Sequence, residues 1–315
     1  MKMNTSVESV SEFVLHCVID SSQRNYTIAA LIFIYLTSIC SNLLVFLVIV
    51  QNHQLQTPMF LLIATLAILD ILNSTNLIPR MVAALISDYL AVPYGPCILQ
   101  ILVEAHILIV GTVTLSLMAA DRYVAVVYPL RYPSVITNQT VLVCLLLTNV
   151  IAVIFVIPLT VLLTELPFCQ GNILSSCFCD YSAMVQKSCT EDPKFLTYLS
   201  GLTVIFFIDP LLLILSSYFR ITLAALQISS VEERKKVFST CLTHLLVVCT
   251  IYVPLILSYL LPGTGIILST EAYNTLVMVG NTVPPMLNPI IYSFRNKEIK
   301  TSLYKFFMWK TAGGN

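Results

Sequence analysis

Seven long blocks of apolar residues constrain the fold of this chain more than any other feature. They lie at about 27–50, 58–79, 98–120, 141–163, 195–217, 238–261 and 272–294. Each reaches the roughly 20 apolar residues that an α-helix needs to cross the hydrocarbon core of a membrane. Because backbone polar groups in lipid must be hydrogen-bonded within their own segment, each block should be helical. The sequence therefore predicts an all-α fold, a seven-transmembrane helix bundle.

The composition excludes several other classes of protein. Of the 315 residues, 57% are hydrophobic and 10% are charged, whereas soluble domains carry about 25% charged residues. Sixteen basic and sixteen acidic residues cancel, so no nucleic-acid partner is expected. The sequence holds no Ser-His-Asp set, no His/Cys cluster with metal-ligand spacing and no phosphate loop. We therefore expect no enzyme, no cofactor and no metal centre. A transporter is disfavoured because no inverted repeat is visible.

The distribution of basic residues predicts the orientation in the membrane. With the N-terminus outside, eleven of the sixteen Lys and Arg residues lie on the inner side and five on the outer side, as expected for a plasma-membrane protein. This gives an extracellular tail at 1–26, a receptor-like domain at 27–294 and a cytoplasmic tail at 295–315. In that last tail, Ile299, Leu303, Phe306 and Phe307 share one face with basic residues beside it, which predicts an amphipathic helix on the inner leaflet.

The cysteines and glycosylation motifs agree with this orientation. Cys97 and four cysteines of the long outer loop 164–194 lie on the oxidising side, where disulfides are expected. Their spacing leaves the connectivity open, and Cys17 in the tail has no assigned role. Of the four Asn-X-Ser/Thr motifs, Asn4 is the preferred acceptor. The motif at Asn73 lies within a span, and that at Asn138 lies in an inner loop.

A charge pair at the inner end of the third block is part of a resemblance to a known protein family. Asp121, Arg122 and Tyr123 look like the Asp-Arg-Tyr signature of rhodopsin-like G-protein-coupled receptors. Matching elements occur in four other spans. They are Asn42, "LAILD" (66–70), Pro210 with Tyr218, and "NPIIY" (288–292).

Longer strings narrow the resemblance to the odorant receptors. They are "TPMFLLIATLAILD", "MAADRYVAVVYPLRYPSVIT", "KKVFSTCLTHL", "PPMLNPIIYSFRNKEIK" and the outer loop "LPFCQGNILSSCFCDYSAMVQKSCTEDPK". The chain departs from that family at three points. Span six reads "TIYVP" where Phe-Tyr-Gly is usual, Gly111 stands where many members have glutamate, and Cys177 is additional.

The resemblance implies a function and a partner. It implies binding of a small-molecule odorant in the outer half of the bundle and activation of a heterotrimeric G protein, a stimulatory one that raises cyclic AMP. The alternative is a non-olfactory chemosensory receptor for a small ligand such as an amine. The resemblance also implies disulfides Cys97–Cys179 and Cys169–Cys189, which leaves Cys177 over.

The resemblance assigns activation and G-protein coupling to the inner end of the bundle. The residues concerned are Asp121, Arg122, Tyr123, Tyr218, His244, Asn288, Pro289 and Tyr292. Arg122 held by Asp121 would be a latch, although an arginine at a helix end can also be a plain membrane anchor. His244 is either a switch contact or a satisfied polar residue. Asp70 forms either a sodium or water network that involves Asn42, Asn288 and Tyr292 or a purely structural hydrogen-bond network.

Positions at which related receptors bind ligands give a predicted pocket. Its residues are Glu104, Ala105, Leu108, Thr203, Phe206, Tyr252, Leu255, Tyr259, Met278 and Asn281. Tyr252 would form the floor. Most of these side chains are apolar or aromatic, as expected for a volatile or weakly soluble ligand.

Glu104 is the most individual residue of this predicted pocket. It precedes Arg122 by 18 residues, which is five helical turns, so both lie on one helix face about 27 Å apart. It also matches the position of the amine-binding aspartate in aminergic receptors. One hypothesis is that ionised Glu104 pairs with a cationic odorant such as a small amine. The alternatives are a structural ion pair, for example with Arg80, and a protonated glutamic acid that donates a hydrogen bond.

Overall fold

The computed structural model describes residues 10–168, 171–190, 192–263 and 269–312, and all seven apolar blocks lie in helices. The long helices are α1 (Arg24–Gln51), α2 (Pro58–Ser87), α3 (Tyr94–Val127), α5 (Asn138–Glu165), α8 (Asp209–Leu226), α9 (Val231–Gly263) and α10 (Thr270–Arg295). The shorter ones are α4 (Tyr132–Val135), α6 (Tyr181–Lys187), α7 (Lys194–Thr203) and α11 (Lys297–Ala312). The prediction of an all-α bundle with a short C-terminal helix is confirmed.

Six spans of the described chain are long and apolar enough to cross a membrane. The fifth is a continuous run of helix in which α7 and α8 are joined by a π-helical turn at Val204–Ile208. The seventh helix, α10, is more polar, and it packs against α1, α2 and α9. The chain is therefore a multi-pass membrane protein.

The third helix lies at the centre of the bundle. It packs against α2, α5 and α8, and its contacts with α9 are fewer. The α5 helix lies at the periphery, because apolar side chains such as Leu146, Leu147 and Ile154 are exposed along it. An exposed apolar face of this kind suits contact with lipid, where the polar coat of a soluble helix is not needed.

One end of the bundle carries a small β-sheet that the sequence did not predict. Strand β1 (Glu12–Leu15) pairs antiparallel with β2 (Leu90–Pro93) and parallel with β3 (Ile173–Leu174), which gives the order β2-β1-β3. Phe13 and Leu15 are fully buried, as the alternation of a half-buried strand requires. The segment predicted as a polar tail is thus part of the folded domain from β1 onward.

Two disulfides fasten this end of the described chain. Cys97 at the start of α3 bonds Cys179 in the loop before α6, which is the pairing that the family resemblance implied. The second joins Cys17 to Cys177, the two cysteines for which sequence reasoning found no partner. Cys189 is also disulfide-bonded, whereas its predicted partner Cys169 lies outside the described residues.

The C-terminal helix α11 packs against α1 and α10. Ile299 on the predicted apolar face is fully buried, and the Asn52 side chain beyond α1 donates a hydrogen bond of 2.8 Å to the Ser302 hydroxyl. The side chains of Phe306 and Phe307 lie outside the described part of the chain, as does the glycosylation motif at Asn4. Burial of Ile299 shows that part of the apolar face packs on the bundle itself.

Candidate functional site

The two ends of the bundle differ chemically. The disulfide end contains Cys97, Cys177 and Cys179. The arginine end contains Asp121 and Arg122 at the other end of α3.

A cavity opens between α2, α3, α9 and α10 on the side of the disulfide end. The empty space between its walls is about 940 Å³, part of it open to solvent. Its lining residues are Leu66, Leu69, Asp70, Asn73, Glu104, Ile107, Leu108, Gly111, Thr112, Asp180, Ile251, Leu255, Tyr273, Val277, Gly280, Asn281, Pro284 and Pro285. The wall is mainly apolar and contains three carboxyl groups.

Gly111 makes part of this space. A Cβ atom built on Gly111 would have no neighbour within 4 Å, so the position is open. Gly280 differs, because a Cβ atom there would lie 2.9 Å from the Cβ of Pro254. Gly280 therefore permits the close approach of α9 and α10, whereas the absence of a side chain at Gly111 leaves room between Glu104 and Asp70.

Four residues of the predicted pocket line the cavity, namely Glu104, Leu108, Leu255 and Asn281. The others are placed elsewhere, and their role in ligand binding stays a prediction. Ala105 packs against the main core, and Thr203 donates a hydrogen bond to the Leu199 carbonyl. Two aromatic residues pack on other rings, Phe206 on Phe155 and Tyr252 on Phe207. Met278 lies in a cluster with Leu31 and Met81. The Tyr259 side chain lies outside the described part of the chain.

The structure does not support a structural ion pair between Glu104 and Arg80. Arg80 donates a hydrogen bond of 2.7 Å to the Gln100 side-chain oxygen instead. His106 shares a hydrogen bond of 3.1 Å with Asn149, on a face of α3 away from Glu104. Within the described residues Glu104 forms no salt bridge, so its carboxyl group is left to the cavity.

Asp180 is a cavity residue that sequence reasoning missed. It follows Cys179, and its carboxylate accepts a hydrogen bond of 2.8 Å from the Ala183 backbone N–H at the start of α6. Burial raises the pKa of Asp180 above its ordinary value, and hydrogen bonds from the N–H groups of Ala183 and Ser182 oppose that rise. A signal was present in the sequence, since Asp180 directly follows a cysteine whose disulfide anchors the loop over α3.

A buried glutamine fixes this loop on the bundle. The side-chain oxygen of Gln100 accepts hydrogen bonds from the Arg80 guanidinium and from the Cys179 backbone N–H, at 2.7 and 3.1 Å. Its amide nitrogen donates to the Asn76 carbonyl at 2.8 Å. Asp180 therefore follows a residue, Cys179, that is held both by a disulfide and by a hydrogen bond to Gln100.

A chain of hydrogen bonds extends from the cavity toward the arginine end. The Asp70 carboxylate lines the cavity and accepts a hydrogen bond of 3.0 Å from the Asn288 side chain. Thr250 on α9 donates to the Asn288 side-chain oxygen at 3.2 Å. Asn42, predicted in the same network, donates instead to the carbonyls of Ser38 and Pro285. Asp70 thus joins α2 to α10, and Asn42 joins α1 to α10.

At the arginine end, Asp121 is held by two neighbours. Its carboxylate accepts a hydrogen bond of 2.8 Å from the Tyr132 hydroxyl and forms an ion pair of 3.7 Å with the Arg122 Nε. Asp121 is almost fully buried. The ion pair is the contact on which the latch interpretation depends, and the contribution of Tyr132 from the loop helix α4 had not been predicted.

The remaining residues predicted for activation lie close to this pair or along α10. Tyr218 and His244 are buried and share a hydrogen bond of 2.6 Å, which joins α8 to α9. Tyr292 is buried, and its hydroxyl forms no hydrogen bond within the described chain. Tyr123 packs edge-on against Tyr128, and Pro289 lies within α10. Within the described residues, no three His, Cys, Asp or Glu side chains are grouped so as to hold a metal ion.

Comparison with known proteins decides the family. The family model for olfactory receptors matches residues 31–310. The chain belongs to the olfactory receptor family. It is similar to Olfactory receptor 1E16 of Mus musculus, with 32% identity over 95% of each chain. It is 34% identical to Olfactory receptor 1M1 of Homo sapiens, over 94% of this chain and 95% of that one. Olfactory receptor 1J1 of Homo sapiens is 36% identical, over 94% and 92%.

This family assignment confirms the resemblance seen in the sequence and shows that the chain is not an enzyme. Two departures of this olfactory-receptor family member bear on the site. Gly111 lies in the cavity wall and leaves it open. Cys177 is used in the disulfide to Cys17, which fastens the N-terminal segment over the same end of the bundle.

Proposed function

We propose that this chain is an odorant receptor, in which a small molecule bound in the cavity causes the arginine end to activate a heterotrimeric G protein. The observation that carries this proposal is the connection between the two sites. Asp70 lines the cavity and bonds Asn288, and Asn288 lies one helical turn before Tyr292 at the arginine end. A ligand that shifts α10 would therefore act on both ends of the same helix.

The proposed orientation places the disulfide end outside the cell and the arginine end in the cytoplasm. Basic residues are in excess on the arginine side, as cytoplasmic segments require, and disulfides belong in an oxidising compartment. Residues 1–26 are then the extracellular segment, 27–294 the receptor domain and 295–315 the cytoplasmic tail. Asn4 would carry the glycan.

The proposed coupling is to a stimulatory G protein that raises cyclic AMP. Support comes from the family for the choice of G protein and from the residues for the existence of a coupling site. The Arg122–Asp121 ion pair is long at 3.7 Å, and a pair of this kind can exchange between two arrangements. A G-protein segment that offered acceptors to Arg122 would stabilise the open arrangement.

The cavity also supports a proposal about the class of ligand. Its wall is mainly apolar with few polar groups, which suits a small molecule of low solubility. A cationic amine is a candidate within that class, since Glu104 faces the cavity and forms no salt bridge within the described chain.

A pair of matched glycine variants tests whether the cavity is the ligand site. Gly111→Leu should fill the cavity and remove the response to every agonist, because the added side chain enters open space in the wall. Gly201→Leu is the control, since Gly201 is exposed and equally open but lies outside the cavity. Agonist responses that survive in Gly111→Leu at normal surface level would place the ligand site elsewhere.

A pair of arginine variants tests the coupling. Arg122→Ala should abolish agonist-driven nucleotide exchange on a purified stimulatory G protein while the receptor still reaches the cell surface. Arg131→Ala, at an exposed position in the loop that follows α3, should retain the activity. Full nucleotide exchange by Arg122→Ala would remove Arg122 from the proposed mechanism.

A further inference from the structure

Two of the three carboxyl groups of the cavity come from separate parts of the chain and lie toward the disulfide end, whereas the third, Asp70, accepts a hydrogen bond from Asn288. Glu104 lies on α3, two turns after Cys97, and Asp180 lies in the loop that the Cys97–Cys179 disulfide holds over the bundle. No Lys, Arg or His of the described chain lines the cavity. The described wall therefore carries acidic side chains and no basic one.

Neither carboxylate has a cationic partner in the described part of the chain. The ion pairs there are Arg24–Asp88, Arg122–Asp121 and those of Lys194 with Glu165 and Asp192. Asp180 uses one oxygen as the cap of α6. A carboxylate can accept about four hydrogen bonds, so both groups retain free acceptor capacity. A partly buried charge left in this state is costly, so a cation bound in the cavity would favour the ionised forms of both groups.

Tyr273 completes the polar corner of the cavity. It comes from α10 and lines the same cavity as Asp180 and Glu104. The face of a tyrosine ring attracts an ammonium group, and its hydroxyl can exchange hydrogen bonds with one. Three elements of the structure thus contribute groups to the cavity wall that favour a positive charge.

The rest of the cavity suits the apolar part of a ligand. Ile107 and Leu108 of α3 and Ile251 and Leu255 of α9 line it. These four side chains offer no hydrogen bond, so a molecule charged along its whole length would be poorly matched. An organic cation with one charged end and one apolar end matches a wall that contains both acidic and apolar residues. A bare metal ion does not match it, because the described residues contain no group of three side chains able to ligate one.

We infer that the receptor recognises small organic amines, with one ammonium group held between Glu104 and Asp180 beside Tyr273 and the hydrocarbon part packed on the apolar wall. This inference rests on the proposed function, since it takes the cavity as the ligand site. It adds a second carboxylate, Asp180, whose position depends on the Cys97–Cys179 disulfide. Glu104 contributes most, because Asp180 already accepts hydrogen bonds from α6.

Two sets of molecules with matched skeletons test the inference by direct binding. The first is pentylamine, 1-pentanol and pentanoic acid, and the second is 2-phenylethylamine, 2-phenylethanol and phenylacetic acid. Each is added to the purified full-length receptor in lipid nanodiscs, and affinity is read from ligand-dependent thermal stabilisation. The variants are Glu104→Gln, Asp180→Asn and the double variant. Glu165→Gln is the control, a carboxylate of the same end that lies outside the cavity.

At least one amine should bind the wild type more tightly than its alcohol and its acid. Glu104→Gln should reduce that amine's affinity by about tenfold or more, since a charge-assisted hydrogen bond is lost. Asp180→Asn should reduce it less, and the double variant should bind amine and alcohol alike. Glu165→Gln should bind as the wild type does. Because the amine-to-alcohol ratio is taken within each variant, a change in stability of the variant does not disturb the comparison.

Several outcomes would overturn the inference. They are tighter binding of the alcohols or acids than of the amines, an amine affinity that survives in the double variant, and the absence of any amine binding. Binding is measured without a G protein, so the proposed function is judged separately. Amines that bind without stimulating nucleotide exchange would contradict the proposed function alone, and alcohols that bind and stimulate exchange would contradict the amine inference alone.

Discussion

The two ends of this bundle satisfy their buried polar groups to different degrees. At the disulfide end, Gln100 is buried and uses both its oxygen and its nitrogen in hydrogen bonds. At the arginine end, the Asp121 Oδ2, the Arg122 Nε and the Tyr292 hydroxyl are buried without a hydrogen bond to any described residue. The buried polar side chain at the disulfide end is therefore hydrogen-bonded, whereas several buried polar atoms at the arginine end could still accept or donate a hydrogen bond.

The covalent structure shows the same contrast. The disulfides Cys97–Cys179 and Cys17–Cys177 both lie at one end, where the β2-β1-β3 sheet also joins the N-terminal segment to two loops. Within the described residues no disulfide lies at the arginine end, and Cys241 on α9 is a free cysteine there. A buried polar group without a partner costs free energy. The arginine end is therefore the part of the molecule with most to gain from another arrangement or from a bound partner.

Removing the Cys97–Cys179 disulfide should have the largest effect on this contrast. Loss of a native disulfide typically costs about 2–5 kcal/mol, a large share of the 5–15 kcal/mol that holds a domain folded. Cys97→Ser should therefore fail to reach the cell surface, as measured by labelling of intact cells. The control is Cys249→Ser, which removes an exposed free cysteine and should leave the surface level unchanged. Normal surface level of Cys97→Ser would show that the loop is held without its covalent bond.

Removing the second disulfide should have a smaller and more local effect. The N-terminal segment is also held by β1 and by a hydrogen bond of 3.1 Å from the Asn172 side chain to the Glu12 carbonyl. The double variant Cys17→Ser and Cys177→Ser should keep most of its surface level. Its β1 amides should exchange with deuterium faster than those of the wild type. Exchange as slow as in the wild type would mean that the sheet alone fixes this segment.

Tyr132→Phe tests the arginine end at its loop contact. The variant removes the hydrogen bond that orients the Asp121 carboxylate toward Arg122. A hydrogen bond to a charged group contributes about 1.5–3 kcal/mol, so basal nucleotide exchange without ligand should rise by about tenfold or more. Tyr304→Phe, at an exposed position in α11, should have no effect. An unchanged or lower basal rate in Tyr132→Phe would contradict a latch held by Asp121.

The smallest effect is expected at the exposed ion pair of the disulfide end. Lys194 and Glu165 lie 2.8 Å apart, and about half of each side chain is exposed. Water and salt screen such a pair. Glu165→Gln should therefore leave the melting temperature of the purified receptor unchanged. A clear fall in melting temperature would mean that surface charges, and not only the disulfides and the buried network, stabilise this end.

The sequence predicted the bundle because its information is local. A block such as 141–163 carries the length and apolar character of a span within itself, and it lies inside α5 (Asn138–Glu165). The sheet depends on contacts between residues far apart in the chain. Leu15 pairs with Leu90 and Leu174. These partners could not be predicted from the sequence of the short β1 segment. The same reason explains why Cys17 and Cys177 had no predicted partner.

The candidate site was predictable in part for a similar reason. Glu104 could be placed because a helix fixes its turn relative to Cys97 and Arg122. Asp180 and Tyr273 reach the cavity from a loop and from the seventh helix, and periodicity within one helix does not reveal such meetings. Phe206 and Tyr252 were predicted from positions in related receptors. In this chain they pack on Phe155 and Phe207, and their role in ligand binding stays a prediction.

Hydrogen–deuterium exchange on the receptor in nanodiscs tests the central claim most directly, namely that the disulfide end is a fixed frame and the arginine end rearranges. It is measured with and without an agonist from the matched panel, in the presence of a stimulatory G protein. Agonist should change amide exchange around Arg122 and around Tyr292, and leave β1 and β2 as protected as before. Loosening of β1 and β2 with no change around Arg122 would contradict the account.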